Sequence, residues 1–513
     1  MKVLDFIIGI LCLVSVSSCK TANNESDERV AGAQPVVITG QILGSDKTVD
    51  SIQIYFGGDI PFNRRLGVDR QRVKTDENKY FKYTSPLTNK PERFYLFSLR
   101  NRDKKPYLAY GDNIQNYLVQ PGDSIHITID QRGEETKFSF SGRGSAKFTA
   151  LWRADQLVSS QESFKAIVDA EIKLKGLKGV DINKARMTLG DSILKAQLNT
   201  LEQYKKEVDP YVFQIMQADI LGNVKSKYKS SFNIKAEELT EKKAALYKRL
   251  IEESLQADLP DDVLAESPFY VRYLSNITMT ELKLNNPGDA SYNKNNIQVK
   301  HFGEFCSLLR NSYSGYLREK LILFNLQSMR VQDTYGLDEC LQASYALIKT
   351  PELKKIIDDW YGKKIRGAKA YNFSLTDVHG NEVQLSDFKG KVVYLDIWFT
   401  GCGGCLALAK EVDHKVYPEF KDNKDVAFVS ISFDKSKKQW LKSVESQKYG
   451  LKEYVNLYTS GLGIEHPFLK YYGVRGGPTT MIIDRKGRIY SSAPPKQGKA
   501  YELIALIQEA LRN

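Results

Sequence analysis

Cysteine is scarce in this chain, with six in 513 residues, and that scarcity excludes a small scaffold built on disulfides. No second Cys-x-x-Cys and no nearby Cys/His pair accompanies the one close pair, Cys402 and Cys405. A four-ligand structural zinc site therefore has no ligand set. Beyond residue 16 no run is apolar enough to cross a membrane. Lysine and arginine do not gather into the basic stripe that a nucleic-acid binder concentrates, although the formal charge is +12. No fixed repeat period is present, so a solenoid is not expected. Glycine and proline are sparse between about residues 145 and 366, which leaves that stretch free to be helical.

What is present is an ordinary globular balance, 42% hydrophobic and 27% charged, in a chain long enough for two to four domains. The basic residues are interleaved with acids, as in KKEVD (205–209) and EELTEKK (237–243). They read as solvated faces, with a weak attraction to anionic membrane or acidic partners as the lesser alternative.

Lys2 opens a short basic region, and Phe6 to Val16 form an apolar run too short to span a bilayer. The run ends in Val16-Ser17-Ser18-Cys19, which resembles a bacterial lipobox, with Asp5 a mild departure. Residues 1–19 are thus expected to be a lipoprotein signal peptide, with Cys19 the lipidated residue and 20–35 a polar tether. An ordinary signal peptide with an incidental cysteine is the alternative. Either way the mature chain is expected in the cell envelope or periplasm. Cys306, Cys340, Cys402 and Cys405 then remain. The first two are expected to be buried reduced thiols that pack as small hydrophobes, a disulfide between them being the alternative.

Three patterns follow one another along the chain. Over residues 36–143 the period is two: Ile52, Ile54 and Phe56 alternate with polar neighbours, as do Ile125, Ile127 and Ile129, and Phe138 with Phe140. This predicts a small antiparallel all-β domain of sandwich type, without a chemical site. Over 144–366 the period is helical, with Leu194, Leu198 and Leu201 on one face and Leu246, Leu250 and Ile251 on another. Pro260 and Pro268 bracket a break there, and Asn285-Asn286-Pro287-Gly288 marks a loop. Over 367–513 strands at Val392–Phe399, Val426–Phe433 and Thr480–Ile483 alternate with helical stretches, and Tyr501–Leu511 reads as a closing helix. That order predicts an α/β layer.

The chemistry lies in Tyr394-Leu395-Asp396-Ile397-Trp398-Phe399-Thr400-Gly401-Cys402-Gly403-Gly404-Cys405. A buried strand runs into a turn, and a helix begins at the cysteines. Unpaired N–H groups and the helix dipole there favour a Cys402 thiolate. A two-residue spacer lets Cys405 reach it across one turn, so Cys402 is placed to attack a disulfide and Cys405 to resolve the mixed disulfide.

With Phe373-Ser374-Leu375-Thr376-Asp377, Gly380, Leu385-Ser386-Asp387, Gly390-Lys391 and Pro478-Thr479-Thr480, the segment 367–513 resembles the exported TlpA/ResA-like thiol–disulfide oxidoreductases of the thioredoxin superfamily (AhpC/TSA-like). The resemblance covers a little over a quarter of the chain. It implies a thioredoxin-like fold and a cis-proline loop. Gly477, Pro478 and Thr479 would present backbone to substrate there, and Trp398 is counted with them as substrate-binding, although it reads more as packing beside the site than as a participant. It also implies that Asp396 handles the resolving cysteine's proton; a buried acid tied to a polar neighbour is the alternative. The redox-active disulfide Cys402–Cys405 would serve with no further cofactor and no metal. Implied partners are disulfides of exported proteins and a membrane thiol electron donor, besides the membrane itself through the lipid.

Four positions depart from that family: Gly401 replaces a tryptophan, Gly404 a proline, Leu408 a glutamate and Lys410 a helix-kinking proline. The cytochrome-maturation role is accordingly not carried over, and the reduction potential is open. Covalent c-type haem would need histidine at 406, where Leu406 stands. A peroxiredoxin would need proline and threonine where Leu395 and Phe399 stand. His379, His414 and His466 have no partner pattern. The sequence thus predicts a membrane-tethered oxidoreductase; the reading from another class is an envelope scaffold whose thioredoxin-like domain is regulatory or vestigial.

Overall fold

The structure, a computed structural model, describes residues 32–44, 51–57, 69–98, 113–132, 136–159, 180–228, 236–255, 257–292, 301–328, 337–474 and 476–513. The expected signal peptide, the Cys19 anchor and most of the tether lie outside the described residues.

Eight strands come first: β1 (Val37–Leu43), β2 (Ser51–Phe56), β3 (Asp69–Lys74), β4 (Tyr80–Thr84), β5 (Glu92–Ser98), β6 (Asn113–Val119), β7 (Ser124–Asp130) and β8 (Lys137–Arg143). They form two four-stranded sheets, ordered β4-β1-β7-β8 and β3-β2-β5-β6. The period-two pattern is realised directly, with Ile52, Ile54 and Phe56 of β2 and Ile125, Ile127 and Ile129 of β7 all buried. The expected purely antiparallel character is corrected at one pair. β1 runs parallel to β7, from Val37 opposite Ser124 to Leu43 opposite Asp130. Five strands intervene in sequence, a connection long enough to bring the chain back in the same direction.

The middle region holds α1 (Ser145–Ser159), α2 (Val180–Glu202), α3 (Pro210–Tyr228), α4 (Glu241–Leu255), α5 (Asp261–Glu266), α6 (Pro268–Leu284), α7 (Phe302–Ser312), α8 (Gly315–Ser328), α9 (Leu337–Tyr345) and α10 (Pro351–Ile357). The inward stripe of α2 is Ile193, Gln197 and Leu201, with Leu194 and Leu198 half-buried beside it. Gln197 is tolerated inside because its amide donates to the Ala154 carbonyl at 3.0 Å. Between Pro260 and Pro268 the break carries the short helix α5. These helices and the two sheets share one core, continuous from Val36 to Tyr361. At the join the Phe148 ring of α1 lies 5.9 Å from Phe94 and 5.1 Å from Tyr117. Arg93 of β5 also forms a buried ion pair with Asp219 of α3 and donates to the Glu266 carbonyl at 2.6 Å.

Cys306 of α7 and Cys340 of α9 are buried and joined as a disulfide, which corrects the expectation of reduced thiols. Packing of the two helices brings the Cα atoms to 5.9 Å across a sequence separation of 34, within bonding reach.

The C-terminal region is the expected thioredoxin-like α/β layer. It runs β9 (Ser374–Asp377), β10 (Glu382–Gln384), β11 (Val392–Trp398), α11 (Gly403–Glu411), a π turn (Val412–Val416), α12 (Tyr417–Phe420), β12 (Val426–Ser432), α13 (Lys437–Glu445), β13 (Val455–Tyr458), α14 (Pro467–Tyr471), β14 (Thr479–Ile483), β15 (Ile489–Ser491) and α15 (Ala500–Arg512). One seven-stranded sheet has the order β10-β9-β13-β12-β11-β14-β15. β11 lies inside it, parallel to β12 and antiparallel to β14. Every residue of β11 is buried, which explains its near-continuous apolar run. Val393, Leu395 and Ile397 face one core while Val392 and Tyr394 face the other, under α11 and α15. The π turn follows directly on α11, so the helix is distorted just past Lys410 without a proline.

Candidate active site

β11 delivers the chain to the dithiol at the carboxyl end of the sheet, where β12 and β13 also end. Asp434, just past β12, holds the turn. Its carboxylate accepts from the Thr400 N–H at 2.9 Å, the Thr400 hydroxyl at 2.6 Å and the Ser432 hydroxyl at 3.0 Å. Gly401 follows at φ +96°, a conformation that L side chains resist. This is a physical reason for glycine where the related family has tryptophan. The Gly401 N–H donates to the Tyr449 hydroxyl at 2.7 Å, and the Tyr449 ring stacks on Trp398 with centroids 4.5 Å apart.

Cys402 caps α11, its sulfur accepting from the Cys405 N–H at 3.1 Å, and the two sulfurs are bonded to each other. Cys402 is 6% exposed and Cys405 0%, so an incoming group meets Cys402 first. Gly477-Pro478 is a cis peptide. A Cβ at Gly477 would sit 2.8 Å from the Cys405 sulfur, and one at Gly404 would sit 3.2 Å from the Pro478 ring. The two glycines thus let the proline loop close against the disulfide. Of the residues expected to meet substrate, Gly477 and Pro478 are half-buried beside the sulfurs. Thr479 is buried and turns its hydroxyl to the Gly476 carbonyl at 2.9 Å. Trp398 is buried too, its indole N–H donating to Ser430 at 2.6 Å. Both are buried, so neither side chain is open to an incoming substrate.

Asp396 shares the α11 side of β11 with Tyr394 and Trp398 by the strand's alternation. Its Oδ1 is buried without a hydrogen-bond partner. Burial pushes its carboxyl up to about 7; the Lys496 charge opposes the rise and Asp413 adds to it. Beside it is a cavity of about 10 Å³ lined by Tyr394, Asp413, Tyr449 and Tyr454 among others, space for about one water.

Sequence reasoning missed three residues. Asp434 carries a signal, an acid at the carboxyl end of an apolar parallel strand, but Tyr449 and Lys496 carry none. Among the described residues no cluster of three or more His, Cys, Asp or Glu side chains could hold a metal ion.

Residues 365–499 match the Redoxin family model. The chain is 33% identical over 138 residues to thiol-disulfide oxidoreductase ResA of Bacillus thuringiensis subsp. konkukian (strain 97-27), covering 26% of this chain and 72% of that protein. To ResA of Bacillus subtilis (strain 168) it is 34% identical over 125 residues, 24% of this chain and 64% of the relative. A solved structure described as a thiol-disulfide oxidoreductase from Bacteroides vulgatus is 28% identical, with 29% of this chain and 99% of that one covered and a TM-score of 0.25.

Proposed function

The chain belongs to the ResA/TlpA-like thiol–disulfide oxidoreductases of the thioredoxin superfamily, and from that premise we propose that Cys402 and Cys405 carry its exchange chemistry as a membrane-tethered reductant of exported proteins. The observation that carries this reading is the unequal exposure of the bonded pair at the start of α11, 6% against 0%. In the reduced enzyme the Cys402 thiolate attacks a substrate disulfide, bonding to one sulfur and expelling the other, which takes up a proton. Cys405 then gives its proton to Asp396 and attacks Cys402. The Cys402–Cys405 bond forms as the Cys402–substrate bond breaks, so two electrons pass to the substrate and the enzyme ends oxidised.

Substrates are disulfide-containing proteins, docked along the backbone of Gly477, Pro478 and Thr479. No cofactor beyond the Cys402–Cys405 disulfide takes part. An envelope or periplasmic location, with a lipid on Cys19, is favoured by the sequence around that cysteine. The buried Cys306–Cys340 disulfide also suits an oxidising compartment. A reductant working there needs electrons from outside, for which a membrane thiol donor is the fitting source.

In an insulin-reduction assay Cys402→Ser is expected to abolish turnover while the fold stays intact. Cys405→Ser is expected to accumulate substrate as a mixed disulfide visible on a non-reducing gel. Full turnover in both variants would remove the pair from the chemistry. Equilibration in glutathione buffers sets the direction: a potential near about −270 mV fits a reductase, whereas one near about −120 mV makes the protein an oxidant. A pair that never cycles would favour the envelope scaffold instead.

A further inference from the structure

Upstream of the redox domain, the chain between α6 and α7 brings a serine, a histidine and a glutamate into one hydrogen-bonded line. Ser291 lies in the single turn Ala290–Tyr292. Asp289 fixes that turn, its carboxylate accepting the Ser291 N–H at 2.8 Å and its carbonyl the Tyr292 N–H at 3.2 Å. His301 stands just before α7, and its carbonyl accepts the Phe305 N–H at 3.0 Å. Its ring Nε2 is 3.0 Å from the Ser291 hydroxyl oxygen, and its Nδ1 is 3.0 Å from Oε1 of Glu304. A carboxylate only accepts, so Nδ1 carries the ring proton and Nε2 is left to accept from the serine. The other Glu304 oxygen accepts from the Tyr292 hydroxyl at 2.9 Å, and the Tyr292 ring stacks on the imidazole with centroids 3.9 Å apart. Burial first, and Glu304 second, push that phenol up to about 12, so it stays a donor. The imidazole is thus held at both nitrogens and on one face. Ser291 and His301 are half-buried and Glu304 is exposed, so the hydroxyl is within reach of a solute. Contacts that only tied the turn to α7 could come in any order. Hydroxyl, Nε2, Nδ1, carboxylate is the order that activates a serine.

We propose that Ser291, His301 and Glu304 form a second, hydrolytic site, with Ser291 the nucleophile toward small activated acyl esters. It stands independently of the dithiol. The Ser291 oxygen bonds to the acyl carbon as its proton passes to Nε2 of His301, and Glu304 with the Tyr292 ring supports the imidazolium that forms. His301 does not cap α7 with its side chain. The first-turn N–H groups of that helix face the same end, and they are donors of the type that steady an oxyanion. His301 then returns the proton to the leaving alcohol as the bond between acyl carbon and alcohol oxygen breaks. Water, giving its proton to Nε2, attacks the acyl carbon next; the acid leaves and Ser291 regains its proton. The sum is ester and water giving acid and alcohol, with nothing oxidised or reduced. Glu304 and Tyr292 are positioning residues, since neither touches the ester.

The test uses the oxidised full chain, with any free thiol blocked by iodoacetamide so that no cysteine reacts. A fluorophosphonate is added, and intact mass with peptide mapping locates the adduct; hydrolysis of p-nitrophenyl acetate is followed in parallel. One phosphonyl group on Ser291 is expected, and Ser291→Ala is expected to lose both the adduct and the hydrolysis. His301→Gln is expected to slow labelling about a hundredfold, the low end for loss of a general base. Glu304→Gln has an amide that can also donate and so favours the wrong tautomer; it is expected to lower kcat roughly tenfold with KM in place. No adduct on the wild type, or an adduct on Tyr292 in place of Ser291, overturns the proposal. So does labelling of His301→Gln at the wild-type rate, and an unchanged kcat in Glu304→Gln overturns the part given to Glu304.

Discussion

A carboxylate placed where Asp396 sits meets two opposing demands, since burial favours its neutral form and the resolving step uses its charged one. Its carboxyl stands at about 7, against an ordinary 3.8. The native state therefore holds the proton more tightly than the unfolded chain does. Stability is undiminished below about pH 4 and falls as pH rises through about 7, because only the unfolded chain ionises freely in that window. Asp396→Asn is expected to be the more stable protein at pH 8, by an amount on the order of a few kcal/mol, and to converge on the wild type near pH 4. Urea unfolding at the two pH values measures it. Equal pH dependence in both proteins would show that the carboxyl is not held up by the fold. Stability and resolution rate then change in opposite directions at one residue, as expected where a strained charge serves the chemistry.

Among elements, the turn between β11 and α11 depends on one acid from the neighbouring strand end. Removing Asp434 as Asp434→Ala leaves the Thr400 N–H and two hydroxyls without their acceptor. A loss of roughly 3 kcal/mol is expected, with slower attack by Cys402. Asp434→Asn keeps an acceptor for the Thr400 N–H and should lose less; chemical denaturation with exchange kinetics separates the two. This turn also shows what the sequence could and could not reveal. β11 was legible because a strand buried on both faces writes a continuous apolar run, and the cysteine spacing is local to one helical turn. The grips of Asp434 and Tyr449 span 34 and 48 residues, so only the sheet's order brings them together. β9 and β10 are short and half-polar, so their periodicity was too weak to read. The parallel β1–β7 pair was hidden for a related reason, since alternation gives a strand's faces but not its neighbour's direction.

At the scale of the molecule, the strands and helices upstream of residue 362 behave as one packed body, because sandwich and helices bury a common core. The Cys306–Cys340 disulfide closes a 34-residue separation within it. Cys306→Ser with Cys340→Ser is expected to cost about 3 kcal/mol and lower the thermal transition of that body, with disulfide exchange at the dithiol unaffected. Calorimetry and the insulin assay on the same sample check both halves, and an unchanged transition would mean that the bond adds nothing to the fold. The C-terminal sheet meets that body and the chain leaving it at β15 and the loop that follows. Arg366 donates to the Tyr490 carbonyl at 3.1 Å and lies 4.2 Å over the Tyr490 ring, while Ala493 packs on the upstream core. The loop that begins there is gripped at Ala493, at Lys496 and at Gly498, by three different parts of the chain. A segment pinned so often in so few residues has no slack. Three holds within six residues make it a clasp, joining the upstream core, the proline loop and the helix that carries the cysteines.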